Sequence, residues 1–131
     1  MTRDDPEFLT IDEVIALHAD QLARWGGLDG IRDRGALEAA VAAPMATFGG
    51  EYLYEDMFAM AAAYAFHVAE AQAFVDGNKR AGLNAALLFL DLNGFPLLDP
   101  ERALFDGMIA IGDRRLTKEG FARLLRDLAH V

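Results

Sequence analysis

Glu55-Asp-Met-Phe-Ala-Met-Ala-Ala-Ala-Tyr-Ala-Phe-His-Val-Ala-Glu-Ala71 runs straight into Gln72-Ala-Phe-Val-Asp-Gly-Asn-Lys-Arg80. A second apolar stretch follows, Ala81-Gly-Leu-Asn-Ala-Ala-Leu-Leu-Phe-Leu-Asp-Leu-Asn-Gly94. The first stretch is rich in alanine and methionine and almost uncharged in its middle. A helix that is apolar on all sides is a buried one. The second, over 78–93, is equally apolar; Gly94 is placed to cap it and Pro96 blocks any continuation. Two buried helices joined by a short polar loop form the centre of an all-α domain, and the rest of the chain has to cover them.

The flanks supply that cover as further helices. Thr10-Ile-Asp-Glu13 has the pattern of a capping box, and Val14, Leu17, Leu22 and Trp25 follow it as an apolar series. Gly26-Gly27 ends that helix. Asp33 is placed to cap a short helix carrying Leu37 and Val41, which Pro44 terminates. Residues 45–53 read as a loop turning at Gly49-Gly50, where Thr47-Phe48 and Tyr52-Leu53-Tyr54 can pair as a short hairpin. Asp99-Pro100 starts another helix, with proline at its first position. Thr117 caps the last one, whose Phe121, Leu124, Leu125 and Leu128 form an apolar stripe. Met45, Met57 and Met60 are expected to fill gaps in the core. The reading is a single domain over residues 1–131, a compact all-α bundle of about six helices with a small β-hairpin flap.

The bulk numbers narrow the function. There are no cysteines, which excludes disulfides and thiolate metal sites. The formal net charge is −9, and such a surface repels nucleic-acid backbone. No apolar run approaches the ~20 residues of a membrane span. Met1-Thr-Arg-Asp-Asp-Pro6 has no signal-peptide core, so a cytoplasmic protein without membrane or nucleic-acid partners is expected.

The loop between the buried helices carries the chemistry. The first N–H groups of a helix have no intrahelical acceptor, and the helix dipole adds positive potential there. Gly77 lets the backbone approach a ligand closely. Lys79 and Arg80 add cations where a helix normally disfavours them, which suggests that an anion completes the site. A carboxylate such as Asp76 beside bound phosphate suits Mg²⁺. The Asn78 amide can donate to a phosphate oxygen. The same residues also read as a plain turn, with Asp76 as cap and two solvated cations. His67 lies five residues before Gln72, roughly 140° around a helix from it, and suits a structural hydrogen-bonded role. His18 suits packing or capping, and His130 is terminal. Arg32, Asp33 and Arg34 read either as a cap with solvated charges or as partners of the loop.

Phe74-Val-Asp-Gly-Asn-Lys-Arg80 resembles the signature of the Fic/Doc family, His-x-Phe-x-(Asp/Glu)-Gly-Asn-(Lys/Gly)-Arg at the start of a helix. Phe74, Asp76, Gly77, Asn78, Lys79 and Arg80 match in register. Ile15-Ala-Leu-His18, Trp25-Gly-Gly-Leu28, Gly30-Ile-Arg-Asp-Arg34 and Leu37-Glu38 are similar to the N-terminal half of the death-on-curing branch. The resemblance implies a Fic-fold toxin of a toxin–antitoxin system that uses ATP and Mg²⁺. It implies transfer of the γ-phosphoryl group to a translation elongation factor. By this likeness Phe74, Gly77, Asn78, Lys79 and Arg80 hold nucleotide, Asp76 holds the metal, and position 72, Asp76 and Lys79 form the catalytic set. The implied partner is an antitoxin whose disordered tail folds into a groove. Residues 44–54 correspond to a flap that holds an extended target segment by main-chain pairing.

Two departures stand out. In the AMP-transferring branch the motif reads Gly-Asn-Gly-Arg-x-x-Arg; here Lys79 replaces the second glycine and Leu83 the last arginine, as in the death-on-curing branch. Losing that arginine removes a bidentate phosphate clamp, which disfavours the alternative reading as an AMP transferase. The family's general-base histidine corresponds to Gln72, whose amide cannot accept a proton at neutral pH. Loss of a general base costs on the order of 10²–10⁴-fold in rate. Gln72 therefore marks a silenced toxin site, natural or engineered, a non-catalytic nucleotide-binding regulator, or a site whose base comes from elsewhere.

Overall fold

In the computed structural model, residues 5–98 and 102–129 are described, and they form six α-helices with one two-stranded hairpin. The helix Ile11–Trp25 (α1) begins with the expected capping box: Glu13 N–H donates to Thr10 Oγ1 at 3.1 Å, and Thr10 N–H donates to Glu13 Oε1 at 2.8 Å. It ends at Gly26, whose φ of 80° takes the chain out of the helix. Arg34–Ala42 (α2) is capped by Asp33, whose carboxylate accepts from Ala36 N–H at 2.9 Å. A 3₁₀ turn at Ala43–Met45 carries Pro44 and leads into the strands Thr47–Phe48 (β1) and Glu51–Tyr52 (β2).

Met57–Ala71 (α3) and Asn78–Leu92 (α4) are the two central helices, and they pack on each other more extensively than any other pair. Gly82 makes the close approach: a Cβ built there would stand 2.5 Å from the Ala65 carbonyl oxygen of α3. The alanine-rich face of α3, Ala61, Ala62, Ala63 and Ala65, is fully buried. Ala103–Gly112 (α5) and Lys118–Ala129 (α6) close the bundle, with Thr117 Oγ1 accepting from Gly120 N–H at 3.0 Å at the start of α6. Asp56 caps α3 through Ala59 N–H at 2.8 Å and pairs with Arg126 of α6 at 2.8 Å. Tyr64 is buried in the core, and its hydroxyl accepts from Leu9 N–H at 2.8 Å. Burial pushes its pKa up to about 12.

The all-α expectation holds, with differences that have physical causes. In the hairpin, Thr47 pairs with Tyr52 and Phe48 with Glu51; Leu53 and Tyr54 lie beyond the strands. Tyr54 turns inward instead, where its hydroxyl accepts from Lys118 Nζ at 2.7 Å. Trp25 is 64% exposed, so it is no core residue; the buried face of α1 is Val14, His18 and Gln21. Met45 sits at the loop surface, 40% exposed, while Met60 is fully buried. The helix start at Asp99-Pro100 and His130 lie outside the described residues.

Candidate functional site

The loop between α3 and α4 is held from below by three segments. Gln72 ends α3 in the left-handed region at φ 50°. Its carbonyl accepts from the Arg32 guanidinium, and its side-chain Nε2 folds back to donate to Ala69 O at 3.1 Å. Arg32 therefore serves the loop, while Asp33 serves its own helix. Residues 30–33 run antiparallel to 73–75: Arg32 N–H donates to Ala73 O at 2.7 Å, and Val75 N–H to Gly30 O at 3.0 Å. Phe74 is 1% exposed and stacks on His18, ring centroids 3.8 Å apart and planes 6° apart. A side chain buried against an imidazole packs the loop down and has no surface to offer a nucleotide.

The Asn78 side chain is likewise engaged within the loop. Its Oδ1 accepts from Phe74 N–H at 3.0 Å and its Nδ2 donates to Phe74 O at 3.0 Å, so the amide closes the loop on itself. What Asn78 offers a ligand is its main-chain N–H.

The next two carbonyls point into the protein. His18 Nε2 lies 2.8 Å from the Asp76 carbonyl oxygen; a carbonyl only accepts, so Nε2 carries the proton. Gln21 Nε2 donates to Gly77 O at 2.8 Å, and Asn84 Nδ2 of α4 donates to Gln21 Oε1 at 3.2 Å. Gly77 has φ 78°, and a Cβ built on it would stand 2.3 Å from Gln21 Nε2. Only glycine meets both the torsion and the space. The first main-chain bond of α4 runs from Ala81 N–H to Gly77 O at 3.0 Å. The N–H groups of residues 78–80 precede it and have no helical acceptor. They open at a cavity of about 340 Å³ lined by Gln72, Asp76, Gly77, Lys79, Arg80 and Phe105, among others.

The cations are placed with care. The Arg80 guanidinium lies 4.3 Å from the Trp25 ring centroid and 4.7 Å from that of Phe105. Stacking uses its faces and leaves its N–H edge for an acceptor. Lys79 reaches across the end of α5, where a Cβ built on Gly112 would stand 3.1 Å from Lys79 Cε. That is the negative end of α5, so the ammonium is favoured there even though it starts from the positive end of α4. The two cations thus have internal support, and their presence alone does not require an anion. Asp76 Oδ1 accepts from Gly77 N–H at 2.9 Å and Oδ2 from Leu28 N–H at 3.2 Å. Each oxygen keeps a lone pair, and Asp76 is exposed at the cavity. Among the described residues no cluster of three His, Cys, Asp or Glu side chains gathers as a metal cage. A lone carboxylate beside phosphate oxygens is the donor set that Mg²⁺ accepts.

A sequence profile of the Fic/DOC family matches residues 8–90, which span α1 to α4 and the whole loop. The chain belongs to the Fic/DOC family. It is similar to the "Protein kinase doc" of Escherichia phage P1, at 42% identity over 93 residues, 70% of this chain and 73% of the relative. It is also similar to the "Toxin Doc" of Mycolicibacterium smegmatis, at 41% identity over 100 residues, 74% of this chain and 75% of the relative.

Within this Fic/DOC site, Leu83 is 8% exposed and is not among the residues that line the cavity. His67 lies elsewhere, with its Nε2 3.4 Å from Tyr54 Oη and 3.4 Å from Lys118 Nζ. Burial first, and the Lys118 charge second, lower its pKa below the usual 6.5. It supplies nothing to position 72. Gln21, Asn84, Trp25 and Phe105 are the residues of the site that sequence reasoning missed. The available signal was the pair His18 and Gln21, three residues apart on the inward face of a capped amphipathic helix.

Proposed function

We propose that this Fic/DOC chain is a death-on-curing type toxin that binds ATP with its phosphates at the N-terminus of α4. The observation that carries the reading is the inward turn of the Asp76 and Gly77 carbonyls onto His18 and Gln21. It clears acceptors from the cavity and leaves the N–H groups of residues 78–80 and the Arg80 edge to receive anionic oxygens. Asp76 would hold Mg²⁺, and the ion would supply neutralisation of charge on the transferred group.

The reaction is attack of a protein hydroxyl, on an elongation factor, at the γ-phosphorus. The new P–O bond forms as the bond to the β-phosphate oxygen breaks, ADP leaves, and the hydroxyl proton passes to a base at position 72. Gln72 offers no such base, and its amide is folded onto Ala69. The chain as written therefore binds nucleotide far better than it transfers phosphate. The protein acts in the cytoplasm, and its partner is an antitoxin whose disordered tail orders in a groove of the toxin. The relative named a protein kinase and the buried Leu83 both favour phosphoryl over AMP transfer.

The test is ATP labelled at the γ or the α position, incubated with Gln72→His and a bacterial translation extract. Label arriving from the γ position, at least ~10²-fold faster than with Gln72, is the expected result. Label from the α position alone overturns the kinase reading. Growth that is indifferent to both forms, together with no nucleotide binding by either, overturns the toxin reading.

A further inference from the structure

We infer that Arg114 is a further phosphate-binding residue of this site, gripping a phosphate oxygen of the nucleoside triphosphate opposite Lys79. The inference rests on the nucleotide-binding reading above. A second cavity, of about 140 Å³, adjoins the first and shares Gln72 and Lys79 with it; Glu70, Gly112 and Arg114 complete its polar rim. It is well below the roughly 300 Å³ at which pockets accept whole organic ligands, and it suits a phosphoryl group.

Arg114 reaches this cavity from the turn after α5. Its φ is 63°, and its N–H donates to Ile111 O at 3.1 Å. The next residue, Arg115, is paired with Asp113 at 3.1 Å. Among the described residues, Arg114 and Lys79 make no ion pair, and Glu70 pairs with neither. Two cations and one carboxylate, Lys79, Arg114 and Glu70, thus line one small cavity, a net positive rim in a chain of net charge −9. An anion held between the two cations gains from both. The guanidinium is the group suited to take two oxygens of a phosphate at once. Residue 83 is a leucine, so α4 offers no second arginine there. The turn after α5 offers one from the other wall. Arg114 lies past residue 90, where the family match ends.

The test is calorimetric titration of Mg²⁺–ATP into the intact chain, at fixed ionic strength, with Arg114→Gln, Arg114→Lys and Arg115→Gln. Circular dichroism checks that each variant is folded. Arg114→Gln is expected to weaken ATP binding by about ten- to a hundredfold, the worth of a charge-assisted hydrogen bond. Arg114→Lys retains part of the affinity, and Arg115→Gln leaves it within about twofold, since a surface charge paired elsewhere contributes little. Unchanged affinity in Arg114→Gln overturns the inference, and so does an equal loss in Arg115→Gln, which would mean general electrostatics. Failure of the unsubstituted chain to bind ATP at all overturns the nucleotide reading itself, and this inference with it.

Discussion

Gly77→Ala tests the geometry on which the site depends. Two separate penalties are expected. The first is conformational: φ is 78° at this residue, and placing a Cβ in the left-handed region costs about 1–2 kcal/mol. The second is steric and polar. The new Cβ would stand 2.3 Å from Gln21 Nε2, so the amide must move and surrender its 2.8 Å bond to the Gly77 carbonyl. Gln21 is 3% exposed, and a buried polar group left without its partner costs about 1–3 kcal/mol. Gly49→Ala separates the two penalties, because φ there is 61° and a Cβ would meet nothing within 4 Å. Urea unfolding should therefore show a loss of about 1–2 kcal/mol for Gly49→Ala and about 2–5 kcal/mol for Gly77→Ala. In a Gln21→Ala background the steric part disappears, so Gly77→Ala should cost only as much as Gly49→Ala. Equal losses at residues 49 and 77 would refute the reasoning, as would strict additivity with Gln21→Ala.

Two further outcomes concern the core. Tyr64→Phe removes the acceptor of the buried Leu9 N–H and should cost about 1–3 kcal/mol in the same unfolding experiment; a change under about 0.5 kcal/mol contradicts the bond. His67→Gln should change the pH dependence of stability. The folded-state pKa of His67 is lowered, by burial first and Lys118 second, so the unfolded chain takes the proton first as pH falls. The parent chain should then lose stability relative to the variant as pH drops through 6.5, with the loss levelling off below the depressed folded value. A difference between the two proteins that stays flat with pH would remove the burial and Lys118 effects from the account.

Most of the helical frame was legible because its signals are local. Thr10 with Glu13, Asp33, Gly26 and Thr117 act within one turn of the helices they start or end, and each behaves as read. The start of α4 at Gly77 and Asn78 was legible for the same reason. The errors share a different cause: the winning partner is distant in sequence. Trp25 continues the apolar series of α1, yet it lies at the surface, where its partner is the Arg80 guanidinium. His18 and Gln21 are polar, and a template that counts apolar residues passes over them, although carbonyls 56–58 residues away satisfy them inside. Phe74 reads equally well as a ligand contact or as core, and the His18 ring decides for core. The end of the second strand could not be read: Tyr54 lies beyond it, with its hydroxyl bonded to Lys118, 64 residues away.

Those long spans bear on when the protein becomes competent. The loop takes its shape from Arg32, from His18 and Gln21, and from Asn84, and Arg80 is steadied in part by Phe105. Bonds closing over 40 to 63 residues form late, since each must first overcome the entropy of bringing distant chain segments together. A ribosome that has released only α1 to α3 has therefore not yet set the loop, and an excised fragment of α3 and α4 lacks the partners that shape it. On the proposed reading, nucleotide binding seated on such a loop would arise only as a property of the finished domain.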